Sequence, residues 1–281
     1  MKKFAILFLA VCLAGGTVMA QEEGLGLYVG AELTIPDFEY AGDLMLIRPY
    51  LGYESSFDAI DLNAELGVDV LMGESDSIMG LDLNIGAGYN LSVGDASTLT
   101  LGLGTWVFFP FDDKKGMYTE NTPYGVASPS FSSLSLHLNV GAMFTQTMDF
   151  GDLYFGIDLP FVLVEKDINP FDYAELQFTA GTDTEIGLGA GLILYGLIQE
   201  EADFIQLLEI FASYTTGPVF FGVTFGIPLY ENGFDNEGLT ITPEIEFSFD
   251  FGLSLYASLP VSGVSTDTTS IGLTVGAKFS F

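Results

Sequence analysis

From Gly24 onward the chain alternates apolar residues with polar or small ones at a period of two, segment after segment. That period puts successive side chains on opposite faces of an extended strand and is incompatible with a helix. In one stretch Ile60, Leu62, Ala64, Leu66, Val68 and Val70 share a face, and Asp61, Asn63, Glu65, Gly67 and Asp69 share the other. In the next, Met79, Leu81, Leu83, Ile85, Ala87, Tyr89, Leu91 and Val93 stand opposite Asp82, Asn84, Gly86, Gly88, Asn90 and Ser92. Fourteen such segments follow one another, at 25–35, 44–53, 59–71, 78–93, 98–109, 132–147, 153–163, 175–181, 185–198, 204–214, 218–229, 239–249, 251–261 and 269–281. The eighth and tenth are the weakest. The tenth carries apolar residues on both faces, and its phase is set by placing Glu209 with the polar residues.

The connections sort into two kinds. After even-numbered segments they are short, as in "GDAS" and "TTG"; after odd-numbered ones they are longer, as in "PDFEYAGD" and the 21-residue "PFDDKKGMYTENTPYGVASPS". Pro36, Pro110, Pro160, Pro228 and Pro260 fall at or near the ends of odd segments, and Pro49 and Pro243 toward the starts of even ones. Proline has no N–H for a ladder, so it belongs where pairing gives out. All seven lie on the long-connection side, which describes a two-ended meander.

The apolar faces carry no charge. Eleven acids within the segments (Glu32, Asp61, Glu65, Asp69, Asp82, Asp158, Glu175, Glu185, Glu209, Glu244, Glu246) fall on the other face, together with Lys278 and with Arg48, whose phase, like that of Glu209, is set partly by this criterion. A soluble β-sandwich tolerates charge on its outer faces. A bilayer does not: a lipid-facing Lys or Arg costs ~2–4 kcal/mol at the midplane. Hydrophobic residues make up 49% of the chain, yet the longest apolar run past the N-terminus, 187–198, is shorter than the ~20 residues of a helical span. Aromatics crowd the segment ends, as interfacial girdles require, and closure removes the edges an open sheet would expose. The expectation is an all-β fold: a closed antiparallel transmembrane β-barrel of about 14 strands, with 12 or 16 left open. Short turns would face the periplasm and longer loops the exterior.

Residues 1–20 read as a secretory signal peptide: Lys2 and Lys3, an apolar stretch, then Val18-Met19-Ala20 before the cut. The rival reading, a lipidation box ending at Cys12, is opposed by the bulk of Val11. Residues 21–281 would form one barrel domain without thiol or disulfide, because Cys12 is the single cysteine. Removing the leader leaves five Lys/Arg against 38 Asp/Glu. That field repels nucleic acid and favours cations.

The last segment places Ile271, Leu273, Val275, Ala277, Phe279 and Phe281 on one face and Gly272, Thr274, Gly276, Lys278 and Ser280 on the other. It resembles the C-terminal signature of bacterial outer-membrane β-barrel proteins, a porin-like class within which no specific family stands out. The resemblance implies a Gram-negative outer-membrane location, contact with its lipids, and delivery by periplasmic chaperones to the barrel-assembly machinery. Phe279 and Phe281 would serve as the assembly signal.

Function then depends on the lumen. Inward positions are rich in glycine, which fills no space, while Trp106, Tyr154, Tyr195, Phe220 and Tyr256 narrow it locally. Asp61, Glu65, Asp69, Asp82, Asp158, Glu185, Glu244 and Glu246 would line an acidic wall, which lowers the barrier for cations. Paired through "MGESDS", Asp82 would lie diagonal to Glu65 and Asp69. The expected function is a porin-like channel for passive, cation-preferring diffusion of small hydrophilic solutes. The long connection after the fifth segment is similar in placement to the pore-narrowing loop of general porins, which makes Asp112, Asp113 and Glu120 constriction-loop candidates. A closed structural or adhesive barrel and a hydrophobic-substrate transporter are the alternatives. No enzyme is expected. The sole histidine, His137, has Asn139 two residues on, where an outer-membrane phospholipase would want serine, and neither cofactor nor metal is called for.

Overall fold

The computed structural model of the chain describes residues 26–35, 44–73, 77–111, 134–164, 174–198, 207–230, 233–234, 239–264 and 269–281. The expected signal peptide lies outside them. Fourteen strands build the wall: β1 Leu27–Ile35, β2 Leu44–Phe57, β3 Ile60–Gly73, β4 Ser77–Gly94, β5 Ser97–Pro110, β6 Ser135–Met148 and β7 Gly151–Val164. They continue as β8 Ala174–Thr184, β9 Leu188–Ile198, β10 Leu207–Thr216, β11 Val219–Tyr230 and β12 Thr240–Ser248. β13 runs Leu253–Ser258 and resumes at Val261–Ser262, and β14 runs Ser270–Ile271 and Leu273–Ser280. A two-residue pairing, Gly233–Phe234, extends β11 beyond the wall.

Each strand pairs antiparallel with its sequence neighbours. β14 also pairs with β1, from Tyr28 opposite Ser280 to Ile35 opposite Leu273, so the sheet closes on itself and leaves no edge. The breaks in the last two strands have a covalent cause. Pro260 donates nothing to the ladder; its carbonyl still accepts from Gly272 N at 2.8 Å, and pairing resumes beyond both. Pro49 acts likewise: the β2–β3 register passes from Ile47–Val70 to Tyr50–Gly67, leaving 48 and 49 unpaired on that side.

The short connections are tight turns. Asp58 adopts φ 51°, a left-handed conformation aspartate tolerates, and Gly217 adopts φ 56° where a Cβ would be strained. Strands run further into these turns than the alternation alone marks. "ESSF" is the end of β2, while β9 starts at Leu188 because Glu185–Gly187 form the turn before it.

Burial is inverted relative to a soluble protein. Leu103 and Phe155 are each 55% exposed, whereas Asp82 is 3% and Asp69 6% exposed. Apolar side chains cover the outside, and every charged strand residue whose side chain is described points inward. Exposed Phe57, Tyr89, Phe150, Phe155, Tyr214 and Phe251 gather near the short turns, with Phe109 and Phe111 toward the other end. Inside, the buried apolar side chains Leu71, Phe108, Val162, Leu207 and Pro228 lie toward the long connections. That end of the interior is closely packed; the middle is not.

Candidate functional site: the inner wall

The predicted acids do not form one uniform wall. In β3 and β4, Asp82 stands opposite Gly67, diagonal to Glu65 (opposite Asn84) and Asp69 (opposite Gly80), as the connection predicts. What the alternation does not reveal is their common partner. The β2 residue Arg48 places NH2 2.6 Å from Glu65 Oε1 and 2.8 Å from Asp82 Oδ2. Its Nε is 3.5 Å from Asp69 Oδ1, an ion-pair distance and not a directed hydrogen bond. Tyr28 donates to Glu65 Oε2 at 2.9 Å, and Glu32 lies across the β1–β2 ladder from Arg48. One guanidinium therefore holds three carboxylates in a largely buried cluster. The only sequence hint is an arginine beside a ladder-breaking proline.

The second inward base lies in the same sector. Lys278 Nζ is 3.3 Å from Glu54 Oε1 and 3.9 Å from the centroid of the Tyr28 ring. Asp61 accepts from Ser56 Oγ and Asn90 Nδ2, each at 2.6 Å. Asp158, Glu244 and Glu246 face inward and, among the described residues, lie in no ion pair. Glu185 does not line the wall. It sits exposed in the β8–β9 turn, where the polar phase runs on past the strand end and misleads the reading. Asp112, Asp113 and Glu120 lie outside the described residues.

Inward glycines prove to have partners. Gly30 faces Tyr50, Gly52 faces Tyr28, and Gly276 faces Tyr256; each tyrosine ring lies where the glycine's Cβ would be. Gly67 is covered by Asp82, Gly141 by Asp158, Gly181 by Tyr154, and Gly222 by Glu244. Folding a long side chain over the glycine directly across the ladder keeps it against the wall. The expectation that inward glycines simply leave space is corrected at these positions.

It holds in one sector. On β4 and β5, Gly86 pairs with Gly104 and Gly88 with Gly102, and Gly102 pairs with Gly141 of β6. Around Gly88, Gly102 and Gly104 nothing approaches a Cβ position closer than 3.5 Å. The bare main chain there floors a recess of about 520 Å³ at mid-height. Asn63, Asn84, Asn139, Asp158 and Gln177 border it, with Trp106 and His137 on the long-connection side. Trp106 is held edge-on to His137 (centroids 4.9 Å, 72°) and parallel to Phe108 (6.0 Å, 12°).

Similar folds occur among solved structures. CdiB from Acinetobacter baumannii has 9% identity and a TM-score of 0.47, covering 91% of this chain and 60% of that one. A Rhodopseudomonas blastica porin triple mutant has 9% identity and a TM-score of 0.45, covering 91% and 99%. Outer membrane phospholipase A from Escherichia coli has 8% identity and a TM-score of 0.45, covering 90% and 92%. No protein family and no curated protein matches the chain.

Proposed function

We propose that the chain is an outer-membrane channel for passive diffusion of small hydrophilic solutes, with a preference for cations. One observation carries the proposal: described charged side chains of the strands all face inward, they are mostly acidic, and both inward bases are ion-paired. A confined acidic wall between low-dielectric surroundings attracts cations and repels anions. The apolar exterior and the belt of exposed aromatics near the short turns suit a bilayer. Export by cleavage after Ala20, and recognition of Phe279 and Phe281 by the assembly machinery, belong to the same proposal.

Purified protein in a planar bilayer should conduct, with a reversal potential favouring potassium over chloride. The preference should fade as carboxylates protonate below about pH 4–5. Silence, or anion preference, would contradict it. The second reading, a closed structural barrel, draws on the buried collar of Leu71, Phe108, Val162, Leu207 and Pro228. Swelling of proteoliposomes loaded with an impermeant polymer and diluted into an isosmotic solution of a small solute separates the two: vesicles holding a channel swell and those holding a closed barrel do not.

A further inference from the structure

The carboxylates of the acidic cluster are all engaged by Arg48 and enclose no space, and the buried collar carries no chemistry. The mid-height recess is different: its polar side chains, with Asn139 hydrogen-bonded to Asp158 and Asn84 donating to Asp82, border open space. Three features define what would fill it. First, its floor is bare main chain at Gly88, Gly102 and Gly104, with nothing nearer than 3.5 Å to a Cβ position, so a flat ring can approach closely. Second, its rim is dominated by carboxamides: Asn63, Asn84, Asn139 and Gln177. A carboxamide offers both donor and acceptor, the pattern that a hydroxyl presents in return. Third, the border holds one acid, Asp158, neither lysine nor arginine, and the indole of Trp106. An anion finds no permanent cation there, His137 being the sole basic side chain on the border, while the C–H groups of a sugar ring suit the electron-rich face of an indole. The volume lies within the range of about 300–1,000 Å³ usual for small-molecule sites.

We propose that this recess is a binding subsite for neutral polyhydroxylated solutes, that is, mono- and disaccharides. They would be held by Asn139, Asp158 and the neighbouring carboxamides against Trp106. The proposal deepens the channel reading and rests on it only for the route by which solute arrives. A weak subsite at mid-height raises local solute concentration without trapping it, as conduction requires.

The test is direct because Trp106 is the only tryptophan in the chain. Sucrose is titrated into the purified full chain in detergent micelles while tryptophan emission is read. The expected result is a saturable change in intensity or emission maximum that potassium chloride at matched osmolarity does not produce. Gly104→Leu and Gly102→Leu, whose side chains enter open space, should abolish the response while keeping the β-sheet circular dichroism of the parent. Asn139→Ala, which fills nothing, should raise the half-saturating concentration by about two- to tenfold, the weight of one or two hydrogen bonds. The proposal is overturned by the absence of a sucrose response, by a response unchanged in all three variants, or by a response to tetramethylammonium that sucrose does not share. Because no current is measured, the outcomes separate: a protein that answers sucrose but never conducts sinks the channel reading alone. One that conducts but ignores sucrose sinks the subsite alone.

Discussion

Two sectors of the inner wall use the same residue to opposite ends. Where β13, β14, β1, β2 and β3 meet, glycine stands across from a large side chain: Gly30 from Tyr50, Gly52 from Tyr28, Gly276 from Tyr256. Those glycines make room for a ring or a carboxylate, and the sector is consolidated by Arg48, Lys278 and the acids they hold. Between β4 and β6, glycine stands across from glycine; Asn63 covers Gly86 and Asp158 covers Gly141, but the space over Gly88, Gly102 and Gly104 stays open. An inward glycine is thus neither a pore signal nor a packing signal by itself. What decides is whether a side chain across either ladder folds over it: Tyr50 does over Gly30, whereas Asn139 does not over Gly104.

The largest effect is expected in the consolidated sector. Arg48→Met leaves Glu65, Asp69 and Asp82 without their common cation. Breaking a buried pair from one side costs about 3–5 kcal/mol, so the urea midpoint of unfolding in detergent should fall sharply. Adding Asp82→Asn to that variant should recover part of the loss. If Arg48→Met is neutral, the cluster is not what holds this side of the wall.

Glycine substitutions probe the contrast itself. Gly30→Val would drive a side chain into the Tyr50 ring and should cost about 1–3 kcal/mol. Gly104→Ala meets only ordinary contacts and should be neutral, or stabilising by roughly 0.5–1 kcal/mol, because alanine suits a strand better than glycine. Equal effects at the two positions, measured as unfolding free energies in the same detergent, would erase the distinction between the sectors. The smallest change is expected for Glu54→Gln. Its partner Lys278 is partly exposed, so the loss should stay below about 1 kcal/mol and shrink further in salt.

Selectivity sharpens the same comparison from the functional side. Neutralising the acids outside the Arg48 cluster, with Asp158→Asn, Glu244→Gln and Glu246→Gln together, should move the reversal potential toward zero. Asp82→Asn should move it less, because Asp82 is 3% exposed and lies against the Arg48 guanidinium.

Much of the fold is legible in the residues alone, for a physical reason. A strand whose two faces meet different solvents must alternate strictly, so strand number, facing and the two kinds of connection are written in the period. Glu209, on the strand with apolar residues on both faces, does point inward, where Tyr195 donates to it at 2.8 Å. The diagonal of Asp82 with Glu65 and Asp69 is also legible, because the six residues "MGESDS", brief for a connection on the long-connection side, hold the β3–β4 register. The Arg48 hub and the Gly30–Tyr50 pairing are not. The Gly30–Tyr50 pairing depends on the β1–β2 register across a longer connection, which spacing does not fix; the hub depends on a side chain beside the Pro49 break in the ladder reaching past β3 to Asp82 on β4, which alternation does not encode. Glu185 shows the opposite failure: alternation does not announce where a strand stops, and polar turn residues continue its phase.

The central claim is that adjacent residues of one strand see hydrocarbon and water in turn. In a Cys12→Ala background, Leu103→Cys and Gly104→Cys can each carry a small fluorophore in protein reconstituted into liposomes. The account predicts that the label at 103 is quenched by spin-labelled lipid and insensitive to iodide, and that the label at 104 behaves in reverse. Identical quenching at the two sites, or the opposite assignment, would contradict it.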